Sequence, residues 1–412
     1  MSRLAGVGRP AHAALALIAL VTVTSHASLI WHHSVPDFDT DAIINQGIAG
    51  EVCGKPWIVK GMGDTAHPLG NALLQRWSCQ FHDSSLLTPP QGWYLLLAAA
   101  VAATAVLLVV FARMSGGGAV AATIALGFVA ASPVMRTLSH RAEEDWIGST
   151  LFLLTTMCLV GYKRTTLRPA PWLVGVALST VVLAVWHTQY LLVFAFGLIP
   201  WGLVALVRPG VVGLTRRRVL VLGAAMAVPT GLVLGALFGS GYAARVSYHR
   251  MYFSIFNPDY WHGLWAWCRD YVGYAARWLT GWAGNDGMEE KLFAAPQGAA
   301  FVLLGLLALS LLTWLVVQTR EPLLIALTFG CLALPFLYEP HNAERWDPTS
   351  AIVALTLASG AYLRRGASER EPSEPEPLAE REPASTQRRG SQMSRKVSMF
   401  APSRLRRSAR PS

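Results

Sequence analysis

The stretch GWYLLLAAAVAATAVLLVVFAR, residues 92–113, carries no charged side chain until Arg113. It is long enough to cross a bilayer core as a helix, which takes about 20 residues. Working outward from it, further apolar runs fall at about 11–31, 117–135, 147–162, 171–186, 189–207, 219–239, 297–319, 322–338 and 349–363. The spacing predicts an all-α, polytopic membrane protein with about ten transmembrane helices. Composition agrees: 53% of residues are hydrophobic and 14% charged, where an ordinary soluble domain carries about 25% charged residues. The mean hydropathy is +0.39.

The basic residues orient the bundle. With the N-terminus inside, Arg113, Lys163, Arg164, Arg168, Arg208, Arg216, Arg217, Arg218, Arg320, Arg364 and Arg365 all fall in cytoplasmic connections, the positive-inside pattern. The formal charge of +10 therefore reflects topology and the tail, and no nucleic-acid partner is expected. Many of the 15 tryptophans lie near run ends, as interfacial anchors do. Arg3 and Arg9 before the first run also fit a signal peptide. That run is long and lacks a small-residue cleavage site before Trp31, which favours an uncleaved first helix.

Two large loops then face outward, at about 32–91 and 240–296. The second is rich in aromatics, from Tyr248 to Trp282, and carries Arg245, His249 and Arg250, a pattern suited to the headgroup zone. Cys53 and Cys79 share the first loop, and in an oxidising compartment both a disulfide between them and two free thiols stay open; Cys158 and Cys331 fall inside apolar runs. Two domains are expected: a membrane domain over 1–365 and a disordered basic cytoplasmic tail over 366–412. The tail is Glu/Pro/Ser-rich, then Arg-rich, with too few apolar residues to fold alone.

Acidic clusters gather on the outer side. Asp37, Asp39 and Asp41 follow the first run; Glu143, Glu144 and Asp145 precede the fourth; Glu344 and Asp347 precede the last. Charge close to hydrocarbon is costly, so its concentration at one face points to a polar site there. The simpler account also holds for each residue: Asp39 or Asp41 would cap a helix, and the acids up to Asp145 would favour the positive end of a helix dipole. Arg345 would equally serve as an interfacial arginine reaching for water. His187 and Gln189 either line the same cavity or close a tight turn.

The run Asp41-Ala42-Ile43-Ile44-Asn45-Gln46-Gly47-Ile48-Ala49-Gly50-Glu51, followed by Gly54-Lys55-Pro56-Trp57-Ile58-Val59 and by His67-Pro68-Leu69-Gly70-Asn71-Ala72-Leu73-Leu74, resembles the first-loop signature of GT-C superfamily membrane glycosyltransferases. The branch it resembles most is that of the aminoarabinose transferases and protein mannosyltransferases. Ser139-His140-Arg141-Ala142-Glu143-Glu144-Asp145 is similar to the family's second outer loop, and Glu344-Arg345-Trp346-Asp347-Pro348 to its Arg-Tyr-x-x-Pro segment, with Trp for Tyr. Ala42 departs from the Glu that the family often has. The resemblance covers about 1–365. It implies transfer of a sugar from a polyprenyl-phosphate donor to a lipid or glycan acceptor, at the extracytoplasmic face of the cell (inner) membrane. In that register Asp41 is the catalytic base, with Asp39 its rival. Asp145, Glu144 and His67 orient the acceptor or a divalent metal, and Arg345, with Arg250 and Arg245, binds the lipid phosphate. No cofactor is required by the pattern, and a divalent cation is left open.

Two other classes fit a polytopic chain. A transporter or flippase would bury ionisable groups at mid-membrane and break its helices there; the clusters here lie at run ends, and no internal repeat is evident. A non-catalytic membrane scaffold would need no convergent acidic pocket. The topology is testable by labelling in a cysteine-free background. A cysteine replacing Thr166 is expected to react with an impermeant maleimide only after the membrane is permeabilised, and one replacing Ser34 without it. The opposite pattern would invert the assignment.

Overall fold

The computed structural model describes residues 17, 19–21, 23–24, 89–131, 145–165, 167–186, 188–239, 310, 312–337 and 348–370. The described residues are helical with short connections and contain no strand. The helices are α1 (Pro89–Met114), α2 (Gly118–Ala131), α3 (Asp145–Arg164), α4 (Ala170–Trp186), α5 (Thr188–Val207), α6 (Pro209–Val212), α7 (Arg216–Gly239), α8 (Pro322–Leu337) and α9 (Pro348–Arg370). Residues 312–319 are helical as well. Most of the two expected outer loops, the Cys53–Cys79 pair and the tail beyond 370 lie outside the described residues.

Among the described residues, three helices are long and apolar enough to cross a membrane, with spans at Leu95–Met114, Tyr190–Val207 and Arg216–Ala236. Gly118–Val129, Ala170–Trp186, Pro322–Ala333 and Ala351–Leu363 are shorter apolar helices. Their outer faces expose large apolar side chains such as Val106, Ile124, Leu178 and Leu232, which suits contact with lipid and not with water.

Several helix limits differ from the sequence reading by a few residues, and two of them are instructive. Helix α7 begins at Arg216, so the arginine triplet forms its first turn. Helix α9 continues to Arg370, past the expected limit at 365: Ala361-Tyr362-Leu363-Arg364-Arg365 and Ala367 are mostly good helix formers. In the sequence Glu371 precedes Pro372, a position biased away from helical geometry. The four-residue α6 was not anticipated; Pro209 opens it and Gly213, left-handed at φ 66°, closes it.

Helix α3 is buried along most of its length. It packs against α1, α4 and α5, while α4 packs on α7, α2 on α1, and α5 on α8. Trp146, Tyr190, Phe111, Phe152 and Phe194 are fully buried. The rings of Phe152 and Phe194 stack with centroids 5.1 Å apart, and Tyr190 lies 5.5 Å from Phe152. Aromatic pairs at this separation add modestly to their burial.

Within lipid, helices associate chiefly through close packing, so small residues mark the tightest seams. On α5 and α8 the spacing is four residues on both sides. A Cβ on Gly197 would run into the carbonyl oxygen of Ala326, and one on Gly330 into the carbonyl oxygen of Val193. The α3–α4 seam works similarly, with Gly161 under the Trp172 ring and Gly175 against Cys158. By contrast a Cβ on Gly231 of α7 meets nothing within 4 Å. Gly330→Ala is therefore expected to destabilise the protein by about 1–3 kcal/mol. Gly231→Ala should instead stabilise it by about 0.5–1 kcal/mol through helix propensity. Thermal unfolding in detergent reads both signs, and equal effects would deny the close α5–α8 approach.

Candidate functional site

Asp145 is the first residue of α3. Asp39, Asp41, His67, Glu144, Arg245, Arg250 and Arg345 lie outside the described residues, as do His187 and His249. Among the described residues there is no group of three or more His, Cys, Asp or Glu that could hold a metal.

Past Asp145, α3 carries a series of buried hydroxyls that bond to neighbouring helices. Trp146 follows Asp145 and is almost wholly buried. One turn on, the Ser149 hydroxyl lies 2.8 Å from the Tyr190 hydroxyl of α5, and Thr150 Oγ1 lies 2.7 Å from Thr104 Oγ1 of α1. Further along, Thr155 donates to Ser179 Oγ of α4 at 2.7 Å. All six side chains are buried. Each hydroxyl in a low-dielectric interior needs a partner, and these three pairs tie α3 to three neighbours. Interhelical bonds of this kind contribute on average roughly 0.6 kcal/mol each in membrane bundles.

The other end of α3 holds charges. Lys163, one residue beyond the apolar run 147–162, pairs with Glu321, and their side chains are only 9% and 11% exposed. Glu321 precedes Pro322 and caps α8: its Oε1 also accepts the Leu323 N–H at 3.0 Å. Its carbonyl receives the N–H groups of Leu324 and Ile325. An acid at a helix start meets both the open N–H groups and the positive end of the dipole. The approach to it is tight: Arg320 is left-handed at φ 51°, and the Glu321 N–H donates to Thr319 Oγ1 at 3.1 Å. Lys163 Nζ also lies 5.8 Å from the centroid of the Tyr362 ring of α9. Burial lowers the pKa of Lys163 from its ordinary value, and the charge and hydrogen bond of Glu321 oppose that shift.

Arginines complete this end. Arg164 donates to the carbonyl of Met114, the last residue of α1, at 2.8 Å. Arg218 of α7 donates to the carbonyls of Tyr162 and Thr165. Its guanidinium lies 4.7 Å over the Tyr162 ring, and Tyr162 returns a hydrogen bond to the Arg218 carbonyl at 3.0 Å. Cations on the terminal carbonyls of α1 and α3 satisfy acceptors that the helices leave open. The ends of α1 and α3 and the beginnings of α7 and α8 thus meet on one side of the bundle. Asp145 is at the opposite end of α3, about 27 Å away at 1.5 Å per residue.

Sequence reading treated Lys163 as a topology marker and did not single out Glu321. The signal was there: Glu321 is an acid inside an otherwise basic connection, directly before a proline that can open a helix. No protein-family model matches the chain, and no curated protein matches it.

Removing one member of a buried ion pair strands the other. Lys163→Met is expected to destabilise the protein by about 3 kcal/mol, whereas Lys163→Met/Glu321→Gln should recover part of that loss. Tryptophan-monitored unfolding checks this. A double variant no better than the single one would mean the pair contributes nothing specific.

Proposed function

We propose that this protein is a membrane glycosyltransferase that moves a sugar from a polyprenyl-phosphate donor to a lipid or glycan acceptor on the extracytoplasmic face. The observation that carries the reading is the ordered series of three motifs at the same ends of apolar runs, around Asp41, Asp145 and Arg345. The position of Asp145 at the start of α3, at the far end from the cation-rich helix ends, supports it.

The chemistry follows from the side chains. A carboxylate on Asp41, or on Asp39, takes the proton of the acceptor hydroxyl or amine as it attacks the anomeric carbon. Neighbouring acids raise the pKa of such a group toward the working range of a base. The bond from sugar to phosphate breaks, and the departing phosphate charge is met by Arg345, with Arg245 and Arg250 as further cations. Asp145, with Glu144 and His67, orients the acceptor. The lipid chain of the donor lies against the helices. Among the described residues, the buried ionisable pair Lys163–Glu321 sits at helix ends and not at mid-helix, so no observation favours the transporter reading.

The test uses the full-length protein in vesicles with polyprenyl-phosphate donors carrying radiolabelled hexoses or pentoses. Transfer releases free polyprenyl phosphate, whereas transport moves label without breaking the sugar–phosphate bond. Asp41→Asn is expected to lower the release rate at least about 100-fold, and Asp145→Asn to lower it less, with membrane insertion unchanged. Wild-type rates in both variants would sink the proposal, and label crossing intact would favour transport.

A further inference from the structure

The end of the bundle built on Lys163 and Glu321 presents an unbalanced charge. Arg113, Arg168, Arg208, Arg216, Arg217 and Arg320 are all exposed there. Among the side chains described at this end, Glu321 is the carboxylate, and it is already committed to Lys163 and the Leu323 N–H. None of the six arginines forms an ion pair among the described residues.

Two of them sit where a helix disfavours them. Arg216 and Arg217 occupy the first turn of α7, facing its positive dipole end. Their neighbour Arg218 escapes by reaching the carbonyls of Tyr162 and Thr165. Arg216 and Arg217 have no such outlet among the described residues, so the fold holds two cations against the local field. An anion beside them would offset both that field and the mutual repulsion of the arginines.

The arginines also alternate with apolar side chains that water does not favour. Leu167 is 93% exposed beside Arg168, Val207 is 72% exposed beside Arg208, and Val211 is 57% exposed on α6. Helix α6 makes a tight elbow between two helices long enough to cross a membrane, so this fringe lies at the limit of the apolar spans. A soluble anion would have no use for those three side chains. A headgroup boundary uses both features, with guanidinium groups at the phosphates and apolar side chains in the upper acyl region.

We infer that this end of the bundle is a binding surface for anionic phospholipid headgroups, centred on Arg208, Arg216 and Arg217, with Leu167, Val207 and Val211 seated among the acyl chains. The surface is independent of the glycosyltransferase reading and lies at the opposite end of α3 from Asp145.

The test uses the full-length protein reconstituted in phosphatidylcholine vesicles containing a minor fraction of phosphatidylglycerol. The protein is then extracted in mild detergent and its retained lipids are counted by mass spectrometry. Phosphatidylglycerol is expected to be enriched over its share of the vesicle. Arg208→Gln/Arg216→Gln/Arg217→Gln should return the ratio toward that share, each arginine contributing up to about fivefold. High salt should lower the enrichment of the wild type, a readout that holds even where the triple variant assembles poorly. Absence of enrichment, or enrichment insensitive to salt, overturns the proposal. Enrichment unchanged in the well-folded triple variant assigns the lipid to the arginine-rich tail instead. Displacement of phosphatidylglycerol by equimolar inorganic phosphate would mark a soluble-anion site and overturn it too.

Discussion

Most polar groups along α3 find their partners inside the protein, because lipid offers none; the buried Thr156 hydroxyl is left unpaired. The surrounding helices follow from where those partners are. Three hydroxyl contacts attach α3 to α1, α5 and α4. At its C-terminal end Lys163, Arg164 and Tyr162 reach α8, α1 and α7. The serines and threonines of α3, and the cations at its end, make it a helix for the interior of the bundle.

The two ends of α3 carry opposite charge, with Asp145 at the start and Lys163 and Arg164 at the finish. That order complements the helix dipole. Asp145 thus serves the stability of α3 whatever chemistry it joins, and its functional weight comes from the company of the Asp41 and Arg345 motifs. The Lys163–Glu321 pair shows the opposite case, a charged contact whose partners already account for it. Glu321 caps α8, neutralises Lys163, and leaves that end of the bundle with arginines in excess.

Most helices were legible because their cause is local. A run of apolar residues such as 92–112 has one economical solution in lipid, and its ends are marked by Arg113 or by a proline such as Pro322. Less of the candidate site was legible in structural terms. Asp145 at the head of a helix follows from the acid–aromatic–apolar pattern Asp145-Trp146-Ile147. The Glu321 cap was missed because a single acid among arginines reads as noise when topology is inferred from basic residues alone.

The sequence by itself determined the helical class, the approximate limits of the apolar helices and the gathering of cations at one set of helix ends. All three depend on the transfer of individual side chains and on neighbours close in the chain. Only the tertiary structure decided that Gly197 meets Ala326, that Gly330 meets Val193, that Thr104 bonds Thr150, and that Lys163 pairs with a carboxylate 158 residues away. Those contacts join elements distant in the chain. Close packing selects them, and nothing in the local pattern of residues states which helix face will meet which.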